Sequence, residues 1–307
     1  MSTPTDQDNL VEDFTERLLA LLGERAATGA RTYGFEYEFL AKDALNPELM
    51  NEIYAFLSTL GFSAKDDRFY SANGMYVSFE PGGQIEYCSP PLRYGDWAFF
   101  EDLLTMIRKT NMAIQKTLGI EYMAFGYVPG RAGAPLCLSS ERYQYLHARL
   151  PNCGSRGLEM MKGTAAIQLH VVIRNMQEIL QLFRKLCELS ISRDFKMSPA
   201  RRNIWDNTDP TRCGMPYSDS RKIDNTHDLL RELVRFTLLA EDIQQNVPFM
   251  NLEDISFNRF IYHMTTMFTD VRLNLKGPSL ELRTPDSVPP SEFMRKWEIF
   301  VSILEDV

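Results

Sequence analysis

Phe79-Glu80-Pro81-Gly82-Gly83-Gln84-Ile85-Glu86 sets a carboxylate on each side of a Pro-Gly-Gly bend. Proline presets φ for the first corner of a turn, and glycine accepts the positive φ that a tight reversal needs. The segment therefore reads as a hairpin joining two strands. Gln84 and Glu86 are two apart and share a face, and the reversal folds Glu80 back towards them. Upstream, Gly34-Phe35-Glu36-Tyr37-Glu38-Phe39 alternates, so Glu36 and Glu38 share a face of another strand. Two unit charges ~4 Å apart at an effective dielectric of 20 repel by roughly 4 kcal/mol. Four carboxylates converging on one place would need cations. Four carboxylates on the solvent face of an ordinary antiparallel sheet would need nothing, and that is the usual place for Glu on an alternating strand.

Two further strands add polar residues among apolar ones. In Thr164 to Arg174, Ala166, Gln168 and His170 fall on one face, with Ala165, Ile167, Leu169 and Val171 on the other. In Ser279-Leu280-Glu281-Leu282-Arg283 the acid and the base are two apart and share a face. The plain reading of that pair is a same-face salt bridge, worth little. The chemical reading is that hard divalent cations such as Mg²⁺ take carboxylate oxygens, an imidazole completes one shell, and an arginine faces a transferring phosphoryl group. Nothing resembles a Walker loop or a G-x-G-x-x-G turn, so a nucleotide would be held through metals and arginines.

Apolar periodicity predicts helices over 10–23, 46–61, 96–117, 140–162 with a break near Pro151-Asn152-Cys153-Gly154, 175–190, 227–243, 253–267 and 291–305. Strands are expected at 32–40, as short segments within 68–90 around an Asn73-Gly74 turn, and at 121–128, 164–174, 271–275 and 278–284. Residues 200–226, rich in Arg, Asp, Asn and Pro, read as a polar loop. Hairpins mixed with helices indicate an α+β fold, an antiparallel sheet with flanking helices. With no repeat and no low-complexity linker, residues 1–307 are expected to form a single domain.

An apolar share of 44% and a charged share of 24% are those of a globular protein. A net charge of −8 argues against a nucleic-acid partner and against attraction to anionic membranes. No apolar run approaches the ~18 residues of a membrane span. The polar, acidic N-terminus is unlike a signal or transit peptide, and Cys88, Cys137, Cys153, Cys187 and Cys213 show no C-x-x-C spacing. Both features lead to the expectation of a cytoplasmic protein without a zinc site.

Glu80-Pro81-Gly82-Gly83-Gln84-Ile85-Glu86 resembles the E-P-G-G-Q-x-E signature of plant-type glutamate–cysteine ligases and their bacterial relatives. Glu36 and Glu38 match that family's G-x-E-x-E strand, and Met160-Met161 with Thr164 to His170 is similar to its M-M-x-x-T-x-x-V-Q-V-N segment. Arg201 to Trp205 with Asp209 to Met215 resembles R-x-x-I-W…D-x-x-R-x-G-M. His263 to Phe268, Val271-Arg272-Leu273 and Leu280 to Arg283 resemble H-L-T-T-x-F-x-x-V-R-L…L-E-x-R. The matches run in order from about residue 30 to 285.

The resemblance implies a glutamine-synthetase-like curved antiparallel sheet whose concave face holds ATP, Mg²⁺ and an amino acid. It implies that ATP phosphorylates the side-chain carboxylate of glutamate and that an amine, cysteine as first guess, attacks the acyl phosphate. On that reading Glu36, Glu38, Glu80, Glu86, His170 and Glu281 are metal ligands. Arg283 and Lys162 serve the chemistry, Gln168, Arg272 and Arg283 the nucleotide, and Gln84, Arg201, Trp205 and Arg212 the substrates. Trp205 either shields the acyl phosphate or anchors its loop. Lys162 stands one place before the position where the family has arginine, as a point charge without the guanidinium fork. His170 replaces an asparagine of the plant enzymes, and Thr284-Pro285-Asp286-Ser287-Val288 replaces a glycine-rich turn. The chain ends at Val307 where relatives carry further helices. A homodimer or partner covering that region is therefore expected. Three alternatives remain open: a different amine acceptor, a kinase that stops at phosphoryl transfer, or a non-catalytic regulatory paralogue that binds glutamate or ATP.

Overall fold

The computed structural model describes residues 4–215 and 222–307. Its strands are β1 (Tyr33–Ala41), β2 (Ser63–Lys65), β3 (Arg68–Tyr70), β4 (Tyr76–Phe79), β5 (Ile85–Cys88), β6 (Tyr122–Met123), β7 (Ile167–Val172), β8 (Cys213–Gly214), β9 (Phe268–Thr269), β10 (Val271–Asn274) and β11 (Ser279–Leu282). Its helices are α1 (Pro4–Arg25), α2 (Pro47–Thr59), α3 (Trp97–Leu118), α4 (Glu141–Cys153), α5 (Gly157–Gly163), α6 (Ile179–Ser190), α7 (Pro199–Asp206), α8 (Thr226–Leu239), α9 (Phe257–Met264) and α10 (Pro290–Glu305). The main sheet runs β10-β11-β7-β1-β5-β4-β3-β2, with β6 paired to the end of β1. Every pairing within it is antiparallel, as the hairpin signals require. Strands β8 and β9 form a separate parallel pair. The fold is α+β.

The Pro-Gly-Gly bend joins β4 to β5. Gly83 N–H donates to Glu80 carbonyl oxygen at 2.8 Å and Glu80 N–H to Gln84 carbonyl oxygen at 2.9 Å, closing the turn. Gly83 adopts φ 81°, and a side chain there would strike Leu45. Gly82 is constrained by space, because a Cβ would lie 2.6 Å from the Lys162 carbonyl oxygen. Both glycines are thus required, one by conformation and one by the approach of α5.

One face of the sheet is apolar. Phe35 and Tyr37 of β1, Ile167 and Leu169 of β7, Leu280 and Leu282 of β11, and Tyr87 of β5 are buried there. Helices α3 and α10 cover the middle, where Trp297 stacks on Phe100 at 4.8 Å and meets Phe35 edge-on at 5.8 Å. Tyr54 of α2 covers Phe69 and Phe79 at the far end. A second, smaller core joins Leu146 and Leu150 of α4, Met160 and Met161 of α5, and Ile204 and Trp205 of α7.

Several expectations are corrected. The segment expected as a polar loop from residue 200 begins as α7, initiated by Ser198, whose side chain accepts from Arg201 N–H, and by Pro199 in the first turn. Residues 216–221 of that segment lie outside the described residues. The strand expected at 121–128 shrinks to β6, because β1 ends at Ala41 and the following chain bonds instead to Gly163 and Ala165. The break expected at Pro151 to Gly154 in the 140–162 helix falls at Gly154, and α4 accommodates Pro151 in its last turn. A Cβ on Gly154 would lie 2.3 Å from the Asn207 carbonyl oxygen, so this chain reversal needs glycine. No described helix is long and apolar enough to cross a membrane.

Trp297 is 1% exposed and sits at the centre of the aromatic cluster. Trp297→Ala is expected to cost about 3–5 kcal/mol, read as a lowered urea midpoint with an unchanged m-value.

Candidate active site

The register across six strands decides which side chains meet. Glu38 pairs with Glu86 and Glu36 with Cys88 between β1 and β5. Glu36 pairs with Gln168 between β1 and β7, Glu281 with His170 between β11 and β7, and Arg272 with Glu281 between β10 and β11. Ser78 pairs with Glu86 between β4 and β5. Directly paired residues point to the same face. Glu36, Glu38, Glu86, Gln168, His170, Arg272 and Glu281 therefore stand on the face opposite the aromatic core, and the bend brings Glu80 to them.

The cluster has two electrostatic halves. In the first, Arg272 holds Glu281 with two bonds, Nε to Oε2 at 2.7 Å and Nη2 to Oε1 at 3.1 Å. Arg283 Nη1 adds a contact to Glu281 Oε1 at 2.6 Å and also donates to Gln168 Oε1. Burial alone would raise the Glu281 carboxyl, but Arg272, Arg283 and His170 outweigh it and hold it down at about 2. In the second half the carboxylates lack cations. Burial pushes Glu80 up to about 8, helped by Glu38 and Glu36 and opposed by Arg142 and Arg283. Burial, then the charges of Glu36, Glu80 and Glu38, push Glu86 well up, and only Ser78 Oγ, 2.5 Å from Oε1, opposes this. Burial also raises Glu38, although it accepts from Ala166 N–H at 2.7 Å and Gln168 Nε2 at 2.6 Å.

Between the halves lies His170. Its Nε2 is buried without a hydrogen-bond partner, with Glu36 Oε1 at 3.5 Å and Glu281 Oε1 at 3.8 Å. Burial opposes the charged imidazole, and the Glu36 hydrogen-bonding contact and the Glu281 and Glu36 charges raise it above its ordinary value nonetheless. Ligand atoms of Glu36, His170 and Glu281 lie within 4.8 Å of one another. Hard oxygen donors, an orphaned imidazole nitrogen and carboxylates whose charged form is disfavoured chiefly by burial and then by neighbouring acids suit divalent cations with oxygen-rich shells.

Five residues assigned to chemistry or substrate stand elsewhere. Gln84 accepts from Gly82 N–H at 2.8 Å and donates to the Met161 and Thr164 carbonyls at 3.2 and 3.0 Å, tying the bend to α5. Lys162 donates to the Ala132 and Ala134 carbonyls at 2.6 Å each, so its ammonium holds the 129–135 loop. Arg201 is 1% exposed and donates to the carbonyls of Arg283 at 3.0 Å, Thr284 at 2.9 Å and Pro285 at 3.2 Å, and to Asp286 Oδ1 at 3.2 Å. Arg212 is fully buried on Asp209 at 2.7 Å, Thr266 Oγ1 at 2.8 Å and the Glu241 carbonyl. Trp205 donates Nε1–H to the Phe268 carbonyl at 2.8 Å inside the smaller core, the geometry of an anchor. His263 of the matched H-M-T-T segment is buried against Phe249, away from the cluster.

Other residues reach the site without having been singled out. Ser78 and Tyr76 follow from β4, since alternation back from Glu80 places both on the acidic face. Arg142 does not: it projects from the first turn of α4, donates to Thr265 Oγ1 and carbonyl at 3.0 and 2.7 Å, and opposes the rise of Glu80. No strand pattern marks it.

An antiparallel sheet with a carboxylate, imidazole and guanidinium cluster on one face defines a class of sites built to hold charged ligands through cations. The sequence profile of glutamate-cysteine ligase family 2 matches residues 32–190 and 194–304, and the chain belongs to that family. It is 24% identical over 334 residues to glutamate–cysteine ligase A, chloroplastic, of Oryza sativa subsp. japonica, covering 94% of this chain and 64% of the rice protein. To glutamate–cysteine ligase B, chloroplastic, of the same rice it is 23% identical over 351 residues, covering 100% and 67%. To glutamate–cysteine ligase, chloroplastic, of Medicago truncatula it is 25% identical over 263 residues, covering 75% and 50%. The chain thus spans about two thirds of the length of the rice relatives.

Two predictions follow from this geometry. The folded Glu80 carboxyl is raised from 4.5 to about 8, so the unfolded chain loses this proton first as pH rises. Stability from this group is intact below about 4.5, falls between 4.5 and 8, and is level above. In metal-free buffer Glu80→Gln is expected to raise Tm at pH 8, leave it near wild type at pH 4.5, and flatten the slope between. Arg201→Ala strands three buried carbonyls and Asp286, and should cost on the order of 3 kcal/mol by urea denaturation. A site arginine that served only substrate would leave the urea midpoint unchanged.

Proposed function

We propose that this chain is an ATP- and Mg²⁺-dependent ligase that joins the side-chain carboxylate of glutamate to an amine, with cysteine as first candidate. The observation that carries this reading is the half-compensated cluster: Glu38 and Glu86 buried and Glu80 half-buried, none of them in an ion pair, beside Glu281 bound to two arginines. A purely structural cluster would be neutralised internally, and this one is not. Membership of the ligase family and similarity to the rice glutamate–cysteine ligases support the same reading.

Glu36, His170 and Glu281 would hold one ion, and Glu38, Glu80 and Glu86 another. Bound divalent cations would supply charge neutralisation at the nucleotide phosphates and the carboxylate being activated. The protein's own groups do the rest. Glu281 fixes the guanidiniums of Arg272 and Arg283, and the buried, unpartnered Nε of Arg283 keeps a donor free for a transferring phosphoryl group. Gln168 links Arg283 to Glu38, so the phosphoryl-facing donor and a metal-facing acceptor move as one unit. Arg201 clamps the backbone that carries Arg283 and so acts as a positioning residue. The side-chain carboxylate of glutamate would take the terminal phosphoryl group of ATP there, releasing ADP, and an amine would then displace phosphate from the acyl phosphate to give the amide.

The test is ADP release with Mg²⁺, glutamate and a panel of amines, with the amide identified by mass. Glu36→Gln and Glu281→Gln are each expected to lower turnover at least 100-fold with native circular dichroism, and Arg283→Lys to lower kcat more than it raises KM for ATP. ADP release that needs glutamate but yields no amide with any amine would replace the ligase by a kinase. Failure of the protein to bind Mg²⁺ and ATP would overturn both.

A further inference from the structure

Beyond the acidic cluster, the same sheet face continues over β4 and β3 and changes character. Tyr76 pairs with Cys88 and with Tyr70, and the Tyr70 and Tyr76 rings lie 5.5 Å apart. Phe69, Val77 and Phe79 point to the core, so Arg68, Tyr70, Tyr76 and Ser78 point to the site face. Arg68 lies with its guanidinium 4.5 Å from the Tyr76 ring centroid. Tyr70 hydrogen-bonds it, and among the described residues it forms no ion pair with a carboxylate. Arg272 and Arg283, the arginines at the other end of this face, both sit on Glu281.

Tyr70 takes one of the Arg68 N–H groups, and stacking on the Tyr76 ring leaves the remaining in-plane N–H donors available, a set that matches a carboxylate. Arg68 lies across from Ser78, which bonds Glu86, so it stands about two strand spacings, roughly 10 Å, from the Glu86 strand. That gap accommodates a metal–oxygen bond of ~2.1 Å, an attacking amine and the short span from an α-amine to its own carboxylate.

We propose that Arg68, with the Tyr70–Tyr76 shelf, is the acceptor subsite, and that it selects amines bearing a carboxylate, that is, amino acids rather than simple amines. The inference rests on the ligase reading above and names the acceptor class of that site. Arg68 receives the acceptor's carboxylate, the tyrosine rings border its side chain, and its amine faces the acidic cluster. Arg68 is a specificity residue and takes no part in phosphoryl transfer.

The test compares matched amines with and without a carboxylate: cysteine against cysteamine, and α-aminobutyrate against propylamine, each with ATP, Mg²⁺ and glutamate. Wild type is expected to prefer the amino acid in each pair. Arg68→Ala should raise KM for the amino acid at least tenfold, leave the simple amine within twofold, and leave KM for ATP and glutamate unchanged. Arg68→Lys should fall between. Calorimetric titration of cysteine into the protein with Mg²⁺ and a non-hydrolysable ATP analogue gives a readout independent of turnover, and its binding heat should vanish in Arg68→Ala. If both members of a pair weaken equally, or neither does, the carboxylate role is overturned while the ligase stands. A raised KM for ATP alone would make the shelf a nucleotide-base site and also overturn the proposal. A wild type that releases no ADP and binds no cysteine would overturn the ligase reading and this inference together.

Discussion

Burying a carboxylate without a cation is the constraint around which the rest of this molecule is arranged. Desolvation disfavours the charged form, and a second and third acid nearby disfavour it further. At Glu281 the chain answers with two guanidiniums. At Glu38, Glu80 and Glu86 it answers with neutral donors, Ala166 N–H, Gln168 and Ser78, which orient the oxygens, and with the unbonded charges of Arg201, Arg283 and Arg142, which offset only part of the cost. Such a half-finished arrangement costs stability in isolation, a cost that bound cations would offset on the reading proposed above.

Holding repelling acids in place demands a rigid frame, and the frame is made by residues that carry charge but face inward. Arg201 joins α7 to the backbone of Arg283 through Asp286, and Arg212 ties Asp209 to Thr266 and Glu241. Gln84 and Lys162 link the Pro-Gly-Gly bend, α5 and the 129–135 loop. Most of their buried donors are spent on chain carbonyls and on the Asp209, Asp286 and Thr266 side chains, which is the condition under which a buried guanidinium or ammonium is tolerated. The shared function of these four residues is to stop the cluster from relaxing outward.

The acidic half of the site was legible because strand geometry is legible. A period of two assigns each residue to a face, and the Pro-Gly-Gly turn fixes the register between Glu80 and Gln84. The metal-facing residues expected on one face, Glu36, Glu38, Glu80, Glu86, His170 and Glu281, are brought to one face. Helical and loop residues were not legible in the same way. A buried arginine and an anion-binding arginine have the same letter, and Arg201 and Arg212 differ from Arg283 only in what the tertiary fold sets around them. The cap at Ser198 with Pro199 did mark α7, but the polar composition after it concealed the signal. Arg142 needed the packing of α4 over the bend, which no local pattern encodes.

The distinction between these kinds of arginine bears on how the family's signature should be read in this chain. Matched residues fall into two groups, those that face the cluster and those that hold the elements facing it, and motif spacing alone gives both groups equal weight. Arg283 shows how they connect. Its side chain reaches Gln168 and Glu281, while its own carbonyl accepts from Arg201. The segment after it, Thr284 to Val288, is likewise held from both sides: by Arg201 at Thr284 and Pro285, by Ser287 Oγ donating to the Glu38 carbonyl at 2.5 Å, and by Tyr37 donating to the Val288 carbonyl. A turn that departs from the family's glycine-rich pattern is therefore still fastened to β1 and α7. The departure changes what lines the turn and leaves intact the backbone path that positions Arg283 over the cluster.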